Sequence, residues 1–444
     1  ALQRHMTESP HTPEGLQAPD IVRFSTDPTL PAWFRGRRLG KRSLWVCASF
    51  VGGCSLFPYN CFLFAQAYFD TFAFPGRSFI FVSMLCYSTP LVLTNMGLAV
   101  FGNIFPIESR MWASNVGSGL YCLALLACAV ASYFMDAVNT MFALTMLALV
   151  AMAFFGSLMQ SAVIGLAGRM GPKVSAAVMF GFGMSGLTVF ALSVIGVLVL
   201  DSNYKFSSMV QAATLFVFSG VYTAVSTWVY HFCFSCRIEE VVDVLTTLEE
   251  ERSNPMLARV RSLQCNAGNL RANDLMQPEH TSQLATFSAA MRQMGSQPFN
   301  VWLTFAVTMT VFPSVMHQWA PDRIVFLQLL TGCFQVFDVS GRYLADALAS
   351  YLPSSRLWML SILRILFVPA FLLGQWRPQS CFLWGSDTGR VLLVVLLALS
   401  HGFIGACAMM YGPSQCDTEI RETAGLSMGC AMVIGIFSGS LLAL

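Results

Sequence analysis

The stretch that decides the fold is residues 139–168, NTMFALTMLALVAMAFFGSLMQSAVIGLAG, which contains no charged side chain. A helix needs about 20 mostly apolar residues to cross the roughly 30 Å hydrocarbon core of a bilayer, so this stretch is long enough to span a membrane. The same criterion selects eleven stretches: residues 43–69, 79–101, 111–135, 139–168, 174–200, 208–234, 297–319, 323–350, 356–375, 388–412 and 420–444. The sequence therefore predicts an all-α integral membrane protein with eleven transmembrane helices.

The composition of the 444-residue chain is also that of a membrane protein. Hydrophobic residues make up 55% of the sequence and charged residues only 11%, with a mean hydropathy of +0.62. A soluble chain usually has about a quarter charged residues, so the composition argues against a water-soluble enzyme. The formal net charge of +2 gives no support to a nucleic-acid partner. The lipid bilayer is the first partner that the sequence implies.

The short motifs that would indicate a metal, a cofactor or catalysis are incomplete. Cys233 and Cys236 form a CxxC pair, but no second pair or histidine follows at zinc spacing, so no metal site is predicted. Gly181, Gly183 and Gly186 spell GxGxxG within an apolar stretch, without the strand and turn that a dinucleotide site requires. Close helix packing is the better interpretation of these glycines. We therefore expect no cofactor and no catalytic centre.

Lys and Arg are distributed unequally over the loops between the apolar stretches. Alternate loops carry sixteen basic residues on one side of the membrane, beginning with the cluster Arg35–Arg42, and five on the other. Because Lys and Arg accumulate on the cytoplasmic side, the N-terminus is predicted to be cytoplasmic and the C-terminus extracellular. The expected localisation is a multi-pass protein of the plasma membrane.

One long polar segment, residues 235–296, divides the apolar stretches into six and five. It is rich in Glu, Arg, Asn and Gln and is interpreted as a cytoplasmic, partly disordered loop, with an amphipathic helix expected at 237–252. The predicted organisation is a cytoplasmic tail 1–42, a six-helix bundle 43–234, the loop 235–296 and a five-helix bundle 297–444.

Charged residues within the apolar stretches are candidates for function. A lone charge at the centre of a spanning helix costs about 2.5–3.5 kcal/mol on insertion scales, so it needs a partner. Asp338 and Arg342 are one helical turn apart and are predicted to pair beside a water-filled cavity. A structural pair that locks helices together is the alternative. Arg364 has no carboxylate on its own helix and is expected to find partners across helices, in a structural role.

Neutral polar side chains also occur in the apolar stretches. They are Asn60, Gln66, Gln160, Gln335 and His401. Such groups either tie helices together or bind a solute, and the sequence leaves both interpretations open. With an ion pair of zero net charge and aromatics such as Tyr59 and Phe312, they predict a cavity for a neutral, flat, hydrogen-bonding molecule.

Six short motifs occur one after another along the chain, and both halves contain some of them. They are Leu56-Phe57-Pro58-Tyr59-Asn60 with Ala67-Tyr68-Phe69; Phe155-Gly156 to Gln160 with Gly165-Leu166-Ala167-Gly168; Val311-Phe312-Pro313; Phe337-Asp338 with Gly341-Arg342; Arg364 with Phe367-Val368-Pro369; and Gly412-Pro413 with Glu422-Thr423-Ala424-Gly425. In these motifs the chain resembles the equilibrative nucleoside transporter family.

The resemblance implies an alternating-access fold like that of the major facilitators, with six and five helices in two bundles and a nucleoside bound between them. Leu56, Tyr59, Leu63 and Leu91 would frame the solute, and Gln160 would offer its amide to the base. Phe312, Gln335 and Ile436 would close the site from the second bundle, where Asp338 and Arg342 would meet the sugar or a base edge. No oligomeric state is implied.

Four positions depart from the commoner family pattern. Tyr59 and Val339 stand where the family usually has Trp, Phe182 stands where Gln is frequent, and His401 replaces an Asn. These changes leave nucleobases among the candidate substrates, and such divergence would suit a protist member. Because some relatives are proton-coupled, Asp338 and His401 are the candidates for proton coupling. Two alternatives to nucleoside transport stay open: a carrier of another neutral or cationic metabolite, and a receptor or scaffold that transports nothing.

Overall fold

The computed structural model describes residues 41–135, 137–200, 204–231, 282–319, 323–376 and 385–443, and the regular elements in these ranges are all helical. The predicted all-α fold is therefore confirmed for the described residues. Most of the expected N-terminal tail and the amphipathic helix expected at 237–252 lie outside them.

The described residues of the N-terminal half form seven α-helices. They are α1 (Lys41–Cys54), α2 (Phe57–Tyr68), α3 (Phe79–Phe101), α4 (Ile107–Phe134), α5 (Val138–Met170), α6 (Pro172–Val199) and α7 (Lys205–Val229). Helix α2 continues into a π-helix, Phe69–Ala73. Helices α1 and α2 together cover the first apolar stretch and are bent by 42° where they meet. Pro58 lies in the first turn of α2, where its missing N–H leaves no hydrogen bond unmade.

In the C-terminal half, the residues that the structure describes form eight further α-helices. They are α8 (Gln283–Met294), α9 (Gln297–Val311), α10 (Ser314–His317), α11 (Ile324–Leu348), α12 (Leu357–Leu363), α13 (Phe367–Trp376), α14 (Asp387–Ser414) and α15 (Arg421–Leu442). Pro313 separates α9 from α10, because a proline disfavours helical backbone in the residue before it. A 3₁₀-helix, Arg364–Leu366, joins α12 to α13.

Eight helices in the described ranges are long and apolar enough to cross a membrane, or up to nine if the bent pair α1–α2 counts as one span. Every one of the eleven predicted stretches contains helix, but α11, which carries Asp338 and Arg342, is not among those eight. Helix α9 has only 15 residues. The structure therefore confirms a protein with multiple candidate spans, whereas the count of eleven stays a prediction.

Buried apolar side chains at one end of the molecule form a single cluster to which both halves contribute. Met170 and Val174 represent the N-terminal half in this shared cluster, and Met410 and Ala424 represent the C-terminal half. This end is formed by the C-terminus of α5, the N-terminus of α6, the C-terminus of α14 and the N-terminus of α15. We call it the closed end, because one continuous core crosses the boundary between the halves there.

The opposite end, which we call the open end, has two separate cores. One is built from the N-terminal half around residues such as Phe69 and Leu149, with Val433 as its member from α15. The other is built from the C-terminal half around residues such as Trp319 and Phe371. The two halves are therefore packed together at the closed end and are cored independently at the open end.

Glycines allow the helices of the two halves to approach at the closed end. A Cβ at Gly168 of α5 would lie 2.8 Å from the carbonyl oxygen of Arg421, and one at Gly425 of α15 would lie 2.7 Å from that of Ile164. Real Cβ atoms do not come so close to backbone oxygen, so α5 and α15 cross at backbone contact. Small residues at such crossings are typical of membrane helices.

The GxGxxG motif on α6 serves the same purpose. Gly181 packs against the carbonyl oxygen of Ser49 on α1, and Gly183 packs against the Arg342 side chain of α11. A Cβ at Gly186 would lie 2.5 Å from Oε1 of Gln335. The interpretation of the motif as a helix-packing surface is confirmed, and two of its glycines face the other half of the molecule.

Candidate functional site

The predicted ion pair forms on α11, at the boundary between the halves. The Nε of Arg342 donates to Oδ2 of Asp338 at 2.9 Å, and the two side chains are only 6% and 5% exposed. Nη1 of Arg342 donates to the carbonyl oxygen of Met179 on α6 at 3.1 Å, so the pair also links α11 to the N-terminal half. The sequence predicts that the pair lies beside a water-filled cavity. In the described residues the pair is instead buried between the two halves.

Close helix crossings bring these two charges to the boundary. Gly402 of α14 packs against the carbonyl oxygen of Asp338, and Gly341 of α11 packs against that of Leu399, so α11 and α14 meet at backbone contact. On the other side, a Cβ at Gly183 would lie 3.0 Å from Cδ of Arg342. The arginine side chain therefore fits into a space that a larger residue on α6 would occupy.

A buried polar network extends from the ion pair through the C-terminal half. Nε2 of His401 on α14 lies 4.0 Å from Oδ1 of Asp338, and Nδ1 of His401 lies 3.0 Å from Oγ1 of Thr308 on α9. Arg364 donates through Nη2 to the same Thr308 oxygen at 2.6 Å. Through Nη1 it donates to the carbonyl oxygen of Leu397 at 3.1 Å and to Ser400.

The hydrogen bonds of Thr308 determine which nitrogen of His401 carries a proton. The Thr308 hydroxyl donates to the carbonyl oxygen of Thr304 at 2.9 Å, so its oxygen is left to accept from Arg364 and from Nδ1–H of His401. Nε2 of His401 then carries a lone pair that faces Oδ1 of Asp338, an oxygen without a hydrogen-bond partner among the described residues. Two acceptors face each other across 4.0 Å, and a donor between them would satisfy both.

The buried charges do not balance. Arg364 is 1% exposed, and its cross-helix partners, which the sequence predicts, are neutral oxygens rather than a carboxylate. Asp338 is the carboxylate among the described residues of this network, and it already pairs with Arg342. With neutral His401 the network has one formal positive charge in excess. The expectation of a site without surplus charge is therefore wrong, because Arg364 belongs to the same network.

The predicted site aromatics Tyr59 and Phe312 each take part in a stacked pair, one in the N-terminal half and one in the C-terminal half. Tyr59 stacks on Tyr87 of α3, with ring centroids 4.3 Å apart and an angle of 12° between planes. Phe312 stacks on Phe334 at 3.9 Å and 11°. Leu91 is buried one turn beyond Tyr87 in the same cluster as the tyrosine pair. Tyr87 was missed by sequence reasoning, although its spacing from Leu91 is a signal that it shares a face with that residue.

The remaining predicted site residues occupy different environments. Gln160 of α5 is 3% exposed, and its amide nitrogen has no hydrogen-bond partner among the described residues. Gln335 contacts Gly186 across the boundary, and Leu63 is 37% exposed. Leu56 and Ile436 pack against the shared cluster. The structure thus joins Asp338, Arg342 and His401 directly, whereas no hydrogen bond of the described residues connects the Gln160 amide nitrogen to them.

Two of the other polar side chains tie helices together within the N-terminal half. The amide nitrogen of Asn60 donates to Oγ of Ser185 on α6 at 2.9 Å. That of Gln66 donates to Oγ of Ser83 on α3 at 3.0 Å. For these two amides the structure supports the helix-tying interpretation, which the sequence leaves open beside solute binding.

The closed end carries a second ion-pair cluster between the halves. Arg110 at the start of α4 pairs with Glu422 of α15, and Arg169 at the end of α5 approaches the other Glu422 oxygen at 3.7 Å. One carboxylate of the C-terminal half therefore faces two arginines of the N-terminal half. Sequence reasoning counted both arginines only as loop charges, because no local spacing signals a partner about 300 residues away.

Solved structures of membrane transporters have the same fold as this chain. The chain aligns with the major facilitator superfamily proton:xylose symporter XylE with a TM-score of 0.56 at 12% identity, over 90% of this chain and 87% of that one. It aligns with a bacterial homologue of the iron transporter ferroportin at 0.55 and 11%, over 91% and 92%. The chain therefore has the fold of these transporters, with two helical halves and buried charges at their boundary.

The chain matches the nucleoside transporter family over residues 146–444 and belongs to that family. It is 24% identical to equilibrative nucleotide transporter 1 of Arabidopsis thaliana, over 87% of this chain and 82% of the relative. It is 22% identical to equilibrative nucleoside transporter 1 of Homo sapiens, over 81% and 80%. The resemblance in the six motifs is confirmed. The chain is also 29% identical to nucleoside transporter 1.2 of Leishmania donovani, but the alignment covers only 32% of this chain. A protist source therefore stays a prediction.

Proposed function

We propose that this chain carries nucleosides, with nucleobases as further candidate substrates, down their gradient by alternating access. The observation that carries the proposal is the Asp338–Arg342 pair, which is buried at the boundary of the halves and bonded to Met179 on the other side. A charged contact across a moving boundary has to rearrange when the halves rock, and polar groups at that depth belong to transport paths. The family membership and the names of the relatives support nucleosides as the substrates.

The membrane arrangement that we propose has eleven spans in bundles 43–234 and 297–444. In it, α1 and α2 form one span, α9 and α10 form another, and α12 and α13 form a third. The tail 1–42 and the loop 235–296 are cytoplasmic, the C-terminus is extracellular, and the protein resides in the plasma membrane. The excess of Lys and Arg on one side supports this orientation.

The orientation makes the closed end cytoplasmic, so the conformation described here opens outward. Helix α8 lies within the proposed cytoplasmic loop, and its Gln293 bonds Asp417 beside the closed end, which agrees with that placement. Opening to the cytoplasm then requires Glu422 to leave Arg110 and Arg169. The open ends of the two halves approach each other in the same motion.

The proposed site takes Leu56, Tyr59, Leu63, Leu91 and Gln160 from the first bundle, and Phe312, Gln335, Asp338, Arg342 and Ile436 from the second. The Tyr59–Tyr87 stack offers an aromatic face for a base, and the unpaired amide nitrogen of Gln160 offers a donor to a ring nitrogen or carbonyl. The unpartnered Oδ1 of Asp338 is an acceptor suited to a ribose hydroxyl. These roles require the solute to reach the boundary when the halves part.

Proton coupling through Asp338 and His401 is part of the proposal, because a proton on either group would fill the gap between two facing acceptors. Arg342 and Arg364 are the other charged groups of the network, and both oppose a second positive charge on His401. His401→Asn supplies a neutral donor in place of the imidazole. Uptake driven by an inward proton gradient should be present in wild type and lost in this variant, and equal gradient dependence in both would contradict coupling.

A second candidate substrate class is nucleoside monophosphates. Arg364 is buried against neutral oxygens, so its formal positive charge favours an anionic group, and the Arabidopsis relative is named a nucleotide transporter. Excess AMP should then compete with adenosine uptake, whereas a nucleoside-selective carrier is unaffected by it.

The experiment that tests the proposed function is uptake of radiolabelled adenosine, inosine, uridine, hypoxanthine and AMP in cells deficient in nucleoside transport. Saturable uptake of at least one nucleoside supports the proposal, and the ranking of the five compounds assigns the substrate class. Surface expression without uptake of any of them would favour another metabolite or a non-transporting role.

A further inference from the structure

Helices α6 and α11 run antiparallel across the boundary between the halves. Gly183 contacts Arg342 and Val339, and Gly186 contacts Gln335. One turn further toward the open end, the ring of Phe190 lies over Gly332, where a Cβ would be 2.8 Å from Cζ of the ring. A groove lies beside this contact and extends along α11 on both sides of it.

The groove has a volume of about 450 Å³ and is lined almost entirely by apolar side chains. Its lining is contributed by both halves: Phe190 and Val194 from α6, and positions between Val325 and Phe337 from α11. The volume is within the roughly 300–1,000 Å³ of typical small-molecule sites. Val325 is 81% exposed and Leu329 53%, so the groove faces outward to the bilayer.

The position of the groove along the membrane normal follows from its neighbours. Arg323 and Asp387, an exposed ion pair, mark an aqueous edge two residues before the groove begins at Val325. The groove then follows α11 to Phe337, which at 1.5 Å per residue is about 18 Å. Half of a hydrocarbon core of about 30 Å is 15 Å, so the groove is about as deep as one leaflet.

One polar side chain lines the groove, and it lies at the aqueous end. Gln328 is half-buried on α11, one turn from the edge marked by Arg323. Its amide is at the depth of the ester carbonyls of a phospholipid whose acyl chain extends inward. A groove with apolar walls, the depth of a leaflet and a single donor near the surface has the chemistry of a site for one acyl chain.

We propose that an acyl chain of a phospholipid from the leaflet at the open end occupies this groove and acts as a wedge between α6 and α11. The side chains that line an empty apolar groove lack dispersion contacts on one side, and a lipid tail would provide them. The tail comes from the bilayer, so no apolar surface has to be transferred from water. The wedge is present only while the open end is open, because α6 and α11 must approach each other to close it. The bound chain therefore favours the conformation described here. The inference rests on the membrane-spanning arrangement of the proposed function and not on its substrate.

The test uses the full-length protein in vesicles of phosphatidylcholine that carries a photoreactive diazirine on one acyl chain. With the diazirine near the ester, cross-links should concentrate around Gln328, and with the diazirine near the methyl end they should concentrate around Val336. Val336→Trp fills the groove and should reduce groove labelling about tenfold. Leu147→Trp, at a lipid-facing position on α5 that is 65% exposed, is the matched control and should not reduce it.

Labelling spread evenly over lipid-facing helices, or unchanged by Val336→Trp, would overturn the proposal. A monodisperse size-exclusion profile and a thermal stability like that of wild type show that Val336→Trp folds. Because the cross-links are measured without any solute, failure of the lipid site and failure of the proposed nucleoside transport are distinguishable.

Discussion

The two ends of this transporter differ in how the N-terminal and C-terminal halves pack together. At the closed end one apolar cluster includes Met170 and Met410 from opposite halves, glycines let α5 and α15 touch, and Glu422 faces two arginines. At the open end each half has its own core, and α6 and α11 enclose a groove. The closed end therefore combines its apolar cluster with ion pairs and glycine contacts that can separate again, whereas the open end needs two halves that are stable apart.

The largest effect is expected at the Asp338–Arg342 pair, where the two halves are in contact between the closed end and the open end. Asp338→Ala leaves Arg342 buried without its carboxylate, and breaking a buried pair in this way typically costs about 3–5 kcal/mol. We expect severe loss of uptake or of folded protein, measured by surface expression and by transport. Asp346→Ala removes a carboxylate one to two turns along the same helix and is the control. Wild-type uptake in Asp338→Ala would refute the functional importance of the pair.

The next largest effect should come from the α5–α15 crossing at the closed end. An Ala Cβ at position 168 would overlap the carbonyl oxygen of Arg421, and overpacking typically costs about 1–3 kcal/mol. Gly168→Ala should therefore disfavour the outward-opening state and reduce uptake. Gly156→Ala on the same helix, where nothing lies within 4 Å of a Cβ, should behave like wild type. Equal uptake by the two variants would show that the crossing is not a closing contact.

Glu422→Gln tests the ionic part of the closed end. The amide keeps the shape of the side chain but removes the charge that faces Arg110 and Arg169, and the remaining positive charges repel each other. We expect a shift of about 1–2 kcal/mol away from the outward-opening state, because hydrogen bonds to charged groups contribute about 1.5–3 kcal/mol. Glu419→Gln is the nearby control. Reaction of a maleimide with Cys416, whose thiol pKa burial raises to about 11, should become faster only in Glu422→Gln.

Gln160→Ala should change affinity rather than folding. Its amide nitrogen has no partner among the described residues, so its removal breaks no internal hydrogen bond at that atom. Loss of one hydrogen bond to the solute, about 1–1.5 kcal/mol, should raise the Michaelis constant of transport about tenfold. Gln66→Ala, which removes the amide that holds Ser83, should instead lower thermal stability. An unchanged Michaelis constant in Gln160→Ala would remove this residue from the site.

The smallest effect is expected at the rim of the open end. Arg323 and Asp387 form a bidentate pair with both side chains about half exposed. Surface pairs are screened by water and salt, so Arg323→Gln should leave uptake and stability within experimental error. A loss of uptake in Arg323→Gln comparable to that in Glu422→Gln would mean that similar contacts hold the two ends. That result would contradict the difference between the closed end and the open end.

Local patterns in the sequence were sufficient for the helices and for the ion pair on α11. Apolar length located eleven stretches that all contain helix, although it did not locate α8 in the polar segment 235–296. The four-residue spacing of Asp338 and Arg342 predicted their pairing, because both residues lie within one helix. The membership of the family followed from six short motifs. What these signals have in common is that no contact between distant segments is needed to read them.

The contacts between distant segments were missed for physical reasons. Glu422 and Arg110 are unremarkable loop-adjacent charges until the fold brings them together. Thr308 and Ser400 accept hydrogen bonds from Arg364. Serine and threonine in membrane helices usually bond their own backbone, so their residue types alone do not predict this contact. The surplus charge in that network was missed for the same reason.

The most direct test of the central claim, that the halves rock about a boundary at Asp338 and Arg342, is a pair of distances measured by pulsed electron paramagnetic resonance. Nitroxide side chains at Leu198 and Val325 report on the open end, and at Lys173 and Tyr351 on the closed end; all four positions are exposed. Adenosine should give a population in which the first distance is shorter and the second longer. Two distances that stay fixed, or that change in the same direction, while uptake is intact would contradict the claim.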